Sequence, residues 1–139
     1  MMKQCKHSFL VTKRGISRFF VPSIVNLRQE NKLYLLCLSN GNADGLGRTR
    51  EKELEKSCAH LRFAEAPTII DDPDLQDGMD KKWGKDLIAE HITRYLTAKM
   101  RQGKENEIDI LISFDEYGIS SHPNHISVNE GVCKVISDQ

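Results

Sequence analysis

The fold is decided by the stretch Lys32-Leu33-Tyr34-Leu35-Leu36-Cys37-Leu38-Ser39, which runs directly into Asn40-Gly41-Asn42. An unbroken apolar run of this length is typical of a strand that is buried on both faces of a parallel sheet. The Asn-Gly-Asn that follows favours a turn, because these residues tolerate left-handed backbone conformations. The stretch therefore predicts a buried strand over 32–39 that ends in a sharp turn.

Strand-like and helix-like segments alternate on both sides of this strand. Further strands are predicted in three short apolar runs, 8–12, 67–70 and 108–114. Helices are predicted where apolar residues recur at helical spacing, over 20–27, 49–61, 86–100 and from about 125 onward. Repeated β-α units of this kind favour an α/β fold, a Rossmann-like and mostly parallel sheet with helices on both faces.

The composition narrows the class of protein. The 139 residues carry 20 basic and 20 acidic side chains, and this balance gives no indication of a nucleic-acid partner. The longest apolar run is far shorter than the roughly 20 residues that span a bilayer, so the chain reads as soluble. Four scattered cysteines are expected to be reduced thiols. We expect one domain over residues 1–139.

Polar clusters follow three of the predicted strands, in the segments 40–50, 71–80 and 115–125. The carboxyl ends of parallel strands lie at one edge of a sheet, and ligands bind outside that edge in open α/β folds. Loop polarity alone accounts for part of this pattern. We nevertheless expect the functional site at this edge, whereas His91, on the apolar stripe of a predicted helix, is expected to be a core or boundary residue.

The most specific cluster is His122-Pro123-Asn124-His125, preceded by Asp115. Pro123 favours an extended backbone at His122, and Asn124 is expected to cap the helix that follows, which would hold both imidazoles at one corner. Such a corner suits metal binding or proton transfer. Two histidines three residues apart also occur as solvated loop residues, because a catalytic zinc needs about three protein ligands.

A glycine-spaced loop precedes the helix predicted over 49–61. Gly41, Gly45 and Gly47 match neither the P-loop nor the dinucleotide pattern. The loop could still present backbone amides to an anion, with Arg48 or Arg50 adding donors suited to phosphate. A flexible loop with a solvated arginine is the alternative.

Taken in order, these two clusters resemble the N-acetylglucosaminylphosphatidylinositol de-N-acetylase family, in particular its eukaryotic branch. The resemblance is carried by the run 34–42, by Thr49-Arg50-Glu51-Lys52-Glu53-Leu54, and by Asp115 with His122-Pro123-Asn124-His125. It covers roughly residues 19–132, while 1–18 diverge. The chain thus looks like a truncated or variant member of that family.

The resemblance implies a hydrolase that removes the N-acetyl group from N-acetylglucosaminylphosphatidylinositol, an early step of glycosylphosphatidylinositol anchor synthesis. A divalent metal, usually taken as zinc, activates water in such enzymes. Carried over to this chain, His125 would be a metal ligand and the catalytic His122 would stabilise the oxyanion or protonate the leaving amine. Arg50 would contact the inositol phosphate side of the substrate. The family also implies the cytosolic face of the endoplasmic reticulum membrane, which this chain would meet through its substrate.

One departure from the family pattern bears on activity. The other two metal ligands and the general base of the family come from a His-Pro-Asp-Asp-Glu run after the first strand, and the equivalent positions here hold Thr12-Lys13-Arg14-Gly15-Ile16. Lys13 and Arg14 place positive charge where a dication would sit. The sequence therefore predicts weak zinc binding or none.

A second reading of the chain follows from this departure. Family members usually carry an amino-terminal membrane segment and continue beyond the position of Gln139, so the sheet is expected to be incomplete at both ends. The alternative to a hydrolase is then a catalytically inactive fragment that acts, if at all, as a substrate- or protein-binding module. A generic α/β domain with incidental histidines would leave the joint occurrence of both loops unexplained.

Overall fold

The computed structural model of the chain describes residues 6–12 and 20–139. Its strands are β1 Lys6–Thr12, β2 Asn31–Cys37, β3 Thr68–Ile69 and β4 Ile110–Ile112. They form one sheet in the order β3-β2-β1-β4, in which every neighbouring pair is parallel. The expected α/β class with a mostly parallel sheet is confirmed.

The helices alternate with these strands as the apolar spacing predicts. They are α1 Val21–Leu27, α2 Gly47–His60, α3 Lys85–Arg101, the single turn α4 Gly118–Ser121, and α5 Pro123–Ser137. Pro22 lies in the first turn of α1, where a missing N–H costs no helical hydrogen bond. None of the helices in the described part of the chain is long and apolar enough to cross a membrane.

Helices cover both faces of the sheet because successive side chains of a strand point in opposite directions. Phe9 pairs in register with Tyr34, and its ring stacks on Tyr95 of α3 with the centroids 4.4 Å apart. Leu10 points to the other face, where it lines a small apolar cavity together with Ile24 of α1. The predicted two-sided packing is therefore confirmed.

Buried apolar side chains hold the segment between β3 and α3, although most of its residues are polar. Leu75 and Trp83 are buried, and the indole N–H of Trp83 donates to the carbonyl of Gln76 over 2.8 Å. Two isolated apolar side chains therefore anchor a segment whose other residues are mostly polar.

A buried lysine crosses the face of the sheet that α3 covers. Lys99 is 5% exposed, forms an ion pair with Glu65, and holds its ammonium 4.5 Å from the centre of the Tyr34 ring. The Glu65 carboxylate and the rings of Tyr34 and Tyr95 offset the free-energy cost of removing the ammonium group from water.

The cysteines within the described residues are free thiols, as expected. Cys37 and Cys58 are buried and Cys133 is exposed, whereas Cys5 lies outside the described residues. Burial raises the pKa of the Cys58 thiol to about 12, so this side chain is protonated and inert at neutral pH.

The strand order creates a switch point at β1, since the chain continues to β2 on one side and β4 lies on the other. Because neighbouring strands are all parallel, the loops that follow β2, β3 and β4 leave from one edge of the sheet. Thr12 is buried at the end of β1. Lys13, Arg14, Gly15 and Ile16, which the sequence comparison above places at the positions of the family motif as an expectation, lie outside the described residues.

Candidate functional site

His122 begins helix α5 as its N-cap residue. Its backbone is extended, with φ −67° and ψ 123°, and its Nδ1 accepts a hydrogen bond from the backbone N–H of Asn124 over 3.1 Å. Pro123 occupies the first turn, which its fixed φ favours. The expectation that Asn124 caps the helix is wrong, because a helix that starts at Pro123 places His122 at the cap.

Asn124 instead ties the loop after β3 to the start of α5. Its side chain is fully buried, its Nδ2 donates to the carbonyl of Lys81 over 2.6 Å, and its Oδ1 accepts from the N–H of Gly78 over 3.2 Å. A groove of about 230 Å³ lies between residues 79–82 and the first two turns of α5. The side-chain amide of Asn124 therefore fixes the wall of the groove that residues 79–82 form.

His125 lies one turn further along α5 and is held on two sides. Its Nδ1 is 3.1 Å from the carbonyl oxygen of Gly118, and its ring stacks on Phe114 with centroids 4.1 Å apart. The close approach depends on glycine, since a Cβ at position 118 would lie 2.9 Å from the Cβ of His125 and the backbone there has φ +62°.

The two imidazoles lie together and present opposite chemistry. Their centroids are 4.8 Å apart and their planes differ by 28°. Because a carbonyl only accepts, Nδ1 of His125 carries the proton, and the neutral ring has its lone pair on Nε2. Because Nδ1 of His122 accepts from an amide, the neutral ring carries its proton on Nε2. The corner thus combines a nitrogen ligand or base with a proton donor.

The glycine-spaced loop lies at the same edge and is closed by its own side chains. Gly41 and Gly45 have φ of +70° and +73°, which is the reason these positions favour glycine. Asn42 Oδ1 accepts from the N–H of Gly47 over 2.9 Å. A Cβ at position 47 would lie 2.9 Å from Asn42, so the start of α2 requires this glycine.

Arg50 braces this loop from the second turn of α2. Its Nη1 donates to the carbonyl of Gly41 over 2.5 Å, and its Nη2 is 3.2 Å from the carboxylate of Asp44. All hydrogen bonds of its guanidinium within the described part of the chain thus lie inside the loop. Arg50 shares the edge with His122 and His125 but is not joined to them, while the two histidines are brought together as expected.

Comparison with known proteins identifies the family of the chain. Residues 17–136 match the family described as PIG-L: GlcNAc-PI de-N-acetylase. The chain belongs to the PIG-L family.

The chain is also similar to curated PIG-L family proteins along most of its length. It is 42% identical over 123 residues to a probable N-acetylglucosaminyl-phosphatidylinositol de-N-acetylase of Schizosaccharomyces pombe, which covers 86% of this chain and 47% of the relative. Identity is 40% to a protein of the same description from Dictyostelium discoideum and 39% to the de-N-acetylase of Saccharomyces cerevisiae. The matches cover 45% and 40% of those proteins. The chain thus spans about half the length of the curated relatives it matches.

A complete catalytic metal centre of the PIG-L family is not formed by the described residues alone. His125 has the arrangement of a metal-binding imidazole, with Nδ1–H on a backbone carbonyl and the Nε2 lone pair directed elsewhere. Residues 6–12 and 20–139 contain no group of three or more histidine, cysteine, aspartate or glutamate side chains that could hold an ion. A catalytic zinc needs about three protein ligands.

One polar pair at the edge was not anticipated from the sequence of this PIG-L chain. His91 Nε2 lies 2.9 Å from Asp72 Oδ2. The backbone N–H of Asp74 and the His91 imidazole hydrogen bond to Asp72 and lower the pKa of its carboxyl. His91 is partly exposed, which agrees with a boundary residue, and it lines a cavity of about 360 Å³ beside β3. The sequence signal for this contact was the position of Asp72 in the polar segment that follows β3.

Proposed function

We propose that this chain forms part of a hydrolase site that removes the N-acetyl group from N-acetylglucosaminylphosphatidylinositol. Family membership and the descriptions of the relatives as de-N-acetylases support the reaction. The observation that carries the assignment to particular residues is the difference in hydrogen-bond partners of the two Nδ1 atoms, a backbone N–H at His122 and a backbone carbonyl at His125. Amide hydrolysis needs both a group that activates water and a group that donates a proton.

His122 is the hydrogen-bond donor to the developing oxyanion in this proposal. When water adds to the acetamide carbonyl, negative charge develops on the carbonyl oxygen, and the Nε2–H of His122 is suited to stabilise it. The C–N bond then breaks as the proton that water lost on addition passes to the leaving nitrogen, so that glucosamine departs as a neutral amine and acetic acid forms and ionises to acetate, while His122 keeps its own proton. The N-cap bond from Asn124 fixes the ring in the tautomer that this role needs.

His125 would hold a divalent metal, taken to be zinc, through its Nε2. A bound zinc would supply activated water and charge stabilisation. The stacked Phe114 ring and the Gly118 carbonyl hold the imidazole in a fixed direction, which ligand binding requires. The other ligands are not among the described residues, and the sequence has no His-Pro-Asp-Asp-Glu run to supply them.

Arg50 binds the phosphate of the substrate. A guanidinium has five N–H donors, and only two of its bonds are made inside the loop, to Gly41 and Asp44. The Arg50 side chain is 23% exposed, so it can bridge the loop and an anion. The substrate is a glycolipid, and we place the site at the cytosolic face of the endoplasmic reticulum membrane.

The test is release of acetate from a lipid-free N-acetylglucosaminyl-inositol phosphate by the purified chain with added zinc. We expect His122→Ala and His125→Ala each to lower release by at least about a hundredfold, because the first removes a donor to the oxyanion and the second a metal ligand. His60→Ala is the matched control, because His60 is exposed at the far end of α2. Release that is absent, or that persists in both variants, contradicts the proposal and favours the inactive binding fragment.

A further inference from the structure

The large apolar side chains that are most exposed are not spread evenly over the molecule. Among the described residues, this set consists of Leu46, Met79, Tyr117, Ile119, Met100 and Ile136. The first four lie in the segments that follow β2, β3 and β4, at the carboxyl edge of the sheet, with Ile119 in the single turn α4. Met100 and Ile136 lie in the last turns of α3 and α5. In parallel β-α units the helices run back, so these two residues lie at the opposite edge.

The residues of two of these loops flank the corner that holds His122 and His125. Met79 lines the groove that Pro123 and Ile126 of α5 close from the other side. On the far side of the same turn, a Cβ on Gly118 would lie 3.0 Å from Ile126 Cγ1, which places Ile119 beside the corner. Met79 and Tyr117 are each 69% exposed. Apolar side chains therefore stand out from the protein on both sides of the proposed catalytic histidines.

We propose that this rim, defined as Leu46, Met79, Tyr117 and Ile119, contacts the surface of a phospholipid bilayer. The proposal rests on the proposed function, because a substrate carried by phosphatidylinositol remains in a membrane while its sugar is processed. Exposed apolar side chains cost free energy in water and recover it when they enter the interface, where tyrosine is also favoured. Contact through the rim would place His122 and His125 at the headgroup level of the bilayer, where the sugar of the substrate lies.

The side chains beside Met79 fit the phosphates of lipid headgroups. Lys81 and Lys82 are exposed and line the groove at its outer side. Long cationic side chains next to an inserted apolar residue extend towards phosphate while their stems stay in contact with lipid. Asp80 and Glu130 line the same groove, so the local charge is balanced. We therefore expect apolar insertion to dominate, and binding should not require anionic lipid.

The loop that carries Met79 is held for this purpose by a buried contact. Asn124, which is fully buried, bonds to the backbone of Gly78 and Lys81 on either side of Met79. A side chain on a fixed loop loses little conformational freedom on insertion compared with one on a mobile segment. The same asparagine belongs to the turn that positions His122, so rim and corner are built on one element.

Flotation with phosphatidylcholine vesicles that contain no substrate tests the rim separately from catalysis. We expect the chain to float, and the variant Met79→Asp/Ile119→Asp to bind at least about tenfold more weakly, because carboxylates resist transfer into the interface. Met100→Asp/Ile136→Asp is the matched control, with side chains of 57% and 59% exposure at the opposite edge, and should float like the unchanged chain.

Several outcomes would overturn the proposal. These are failure of the unchanged chain to float, equal losses in both double variants, or binding that appears only with phosphatidylserine and disappears in high salt. A second measurement uses Cys133→Ser with a polarity-sensitive dye on Tyr117→Cys or Met100→Cys. The dye should shift to shorter wavelength with vesicles at position 117 and not at position 100. Acetate release from the lipid-free substrate should be unchanged by the rim variant, so the two proposals can fail independently.

Discussion

The imidazole of His125 lies parallel to the ring of Phe114, with centroids 4.1 Å apart and planes 9° apart. Phe114 lies two residues after the end of β4, and its ring also packs edge-on against Phe20 with the centroids 5.1 Å apart. The direction of the proposed metal ligand is therefore set by an aromatic residue of the neighbouring loop and not by α5 alone.

Replacement of Phe114 by leucine should loosen His125 while the site remains apolar. We expect a loss of about 1 kcal/mol in the free energy of unfolding, since stacked aromatic pairs contribute about that much beyond buried area. The upfield ring-current shift of the His125 ring protons, measured by NMR, should disappear. Phe20→Leu is the control, because Phe20 contacts Phe114 but not His125. Equal effects of both variants on the His125 protons would contradict the assigned contact.

Asn124→Ala should be the most destabilising of the asparagine truncations at the site. It removes two partly buried hydrogen bonds of a fully buried side chain and leaves the N–H of Gly78 and the carbonyl of Lys81 without that partner. We expect a loss of about 2 to 4 kcal/mol in the free energy of unfolding, measured with urea. Asn129→Ala, which loses the bond to the carbonyl of Phe114 and a weak, exposed bond from the Cys133 thiol, should cost about 1 kcal/mol. Similar losses in the two variants would show that the 78–81 loop is not anchored in this way.

The pair of Asp72 and His91 predicts how stability depends on pH. The bonds from the backbone of Asp74 and from His91 lower the pKa of Asp72 below its ordinary 3.8. A carboxyl with a lowered pKa in the folded state contributes stability above its ordinary pKa, and the contribution is lost as pH falls through the lowered value. Asp72→Asn should therefore reduce stability at neutral pH by about 1 kcal/mol and flatten its decline in acid. Urea midpoints of the two proteins between neutral pH and pH of about 3 check this, with the exposed Asp80→Asn as control.

The sheet could be predicted from the sequence because each of its longer strands is a continuous apolar run. Leu33 to Leu38 has too little polar interruption for a surface helix, and burial in a parallel sheet is the structure that such a run favours. Leu75 and Trp83 carried no such signal, because isolated apolar residues in a polar segment show no period. Their burial depends on the folded arrangement of distant elements.

The site could be predicted as a location but not in its detail. The edge and the proximity of His122 to His125 follow from strand ends and from the short spacing around Pro123. The capping residue was misassigned because the preference for asparagine at the N-cap was given more weight than the preference for proline at the first helical position. The buried Lys99 was missed because its partner Glu65 is 34 residues away in sequence.

The zinc affinity of the chain is the prediction that bears most directly on its activity. His125 offers one imidazole nitrogen, and the sequence contains no His-Pro-Asp-Asp-Glu run. One neutral ligand does not offset the dehydration of a dication. We expect isothermal titration to give a dissociation constant weaker than about 10 μM, with little change in His60→Ala. A stoichiometric site of submicromolar affinity that His125→Ala removes would mean that residues outside the described part complete the metal centre.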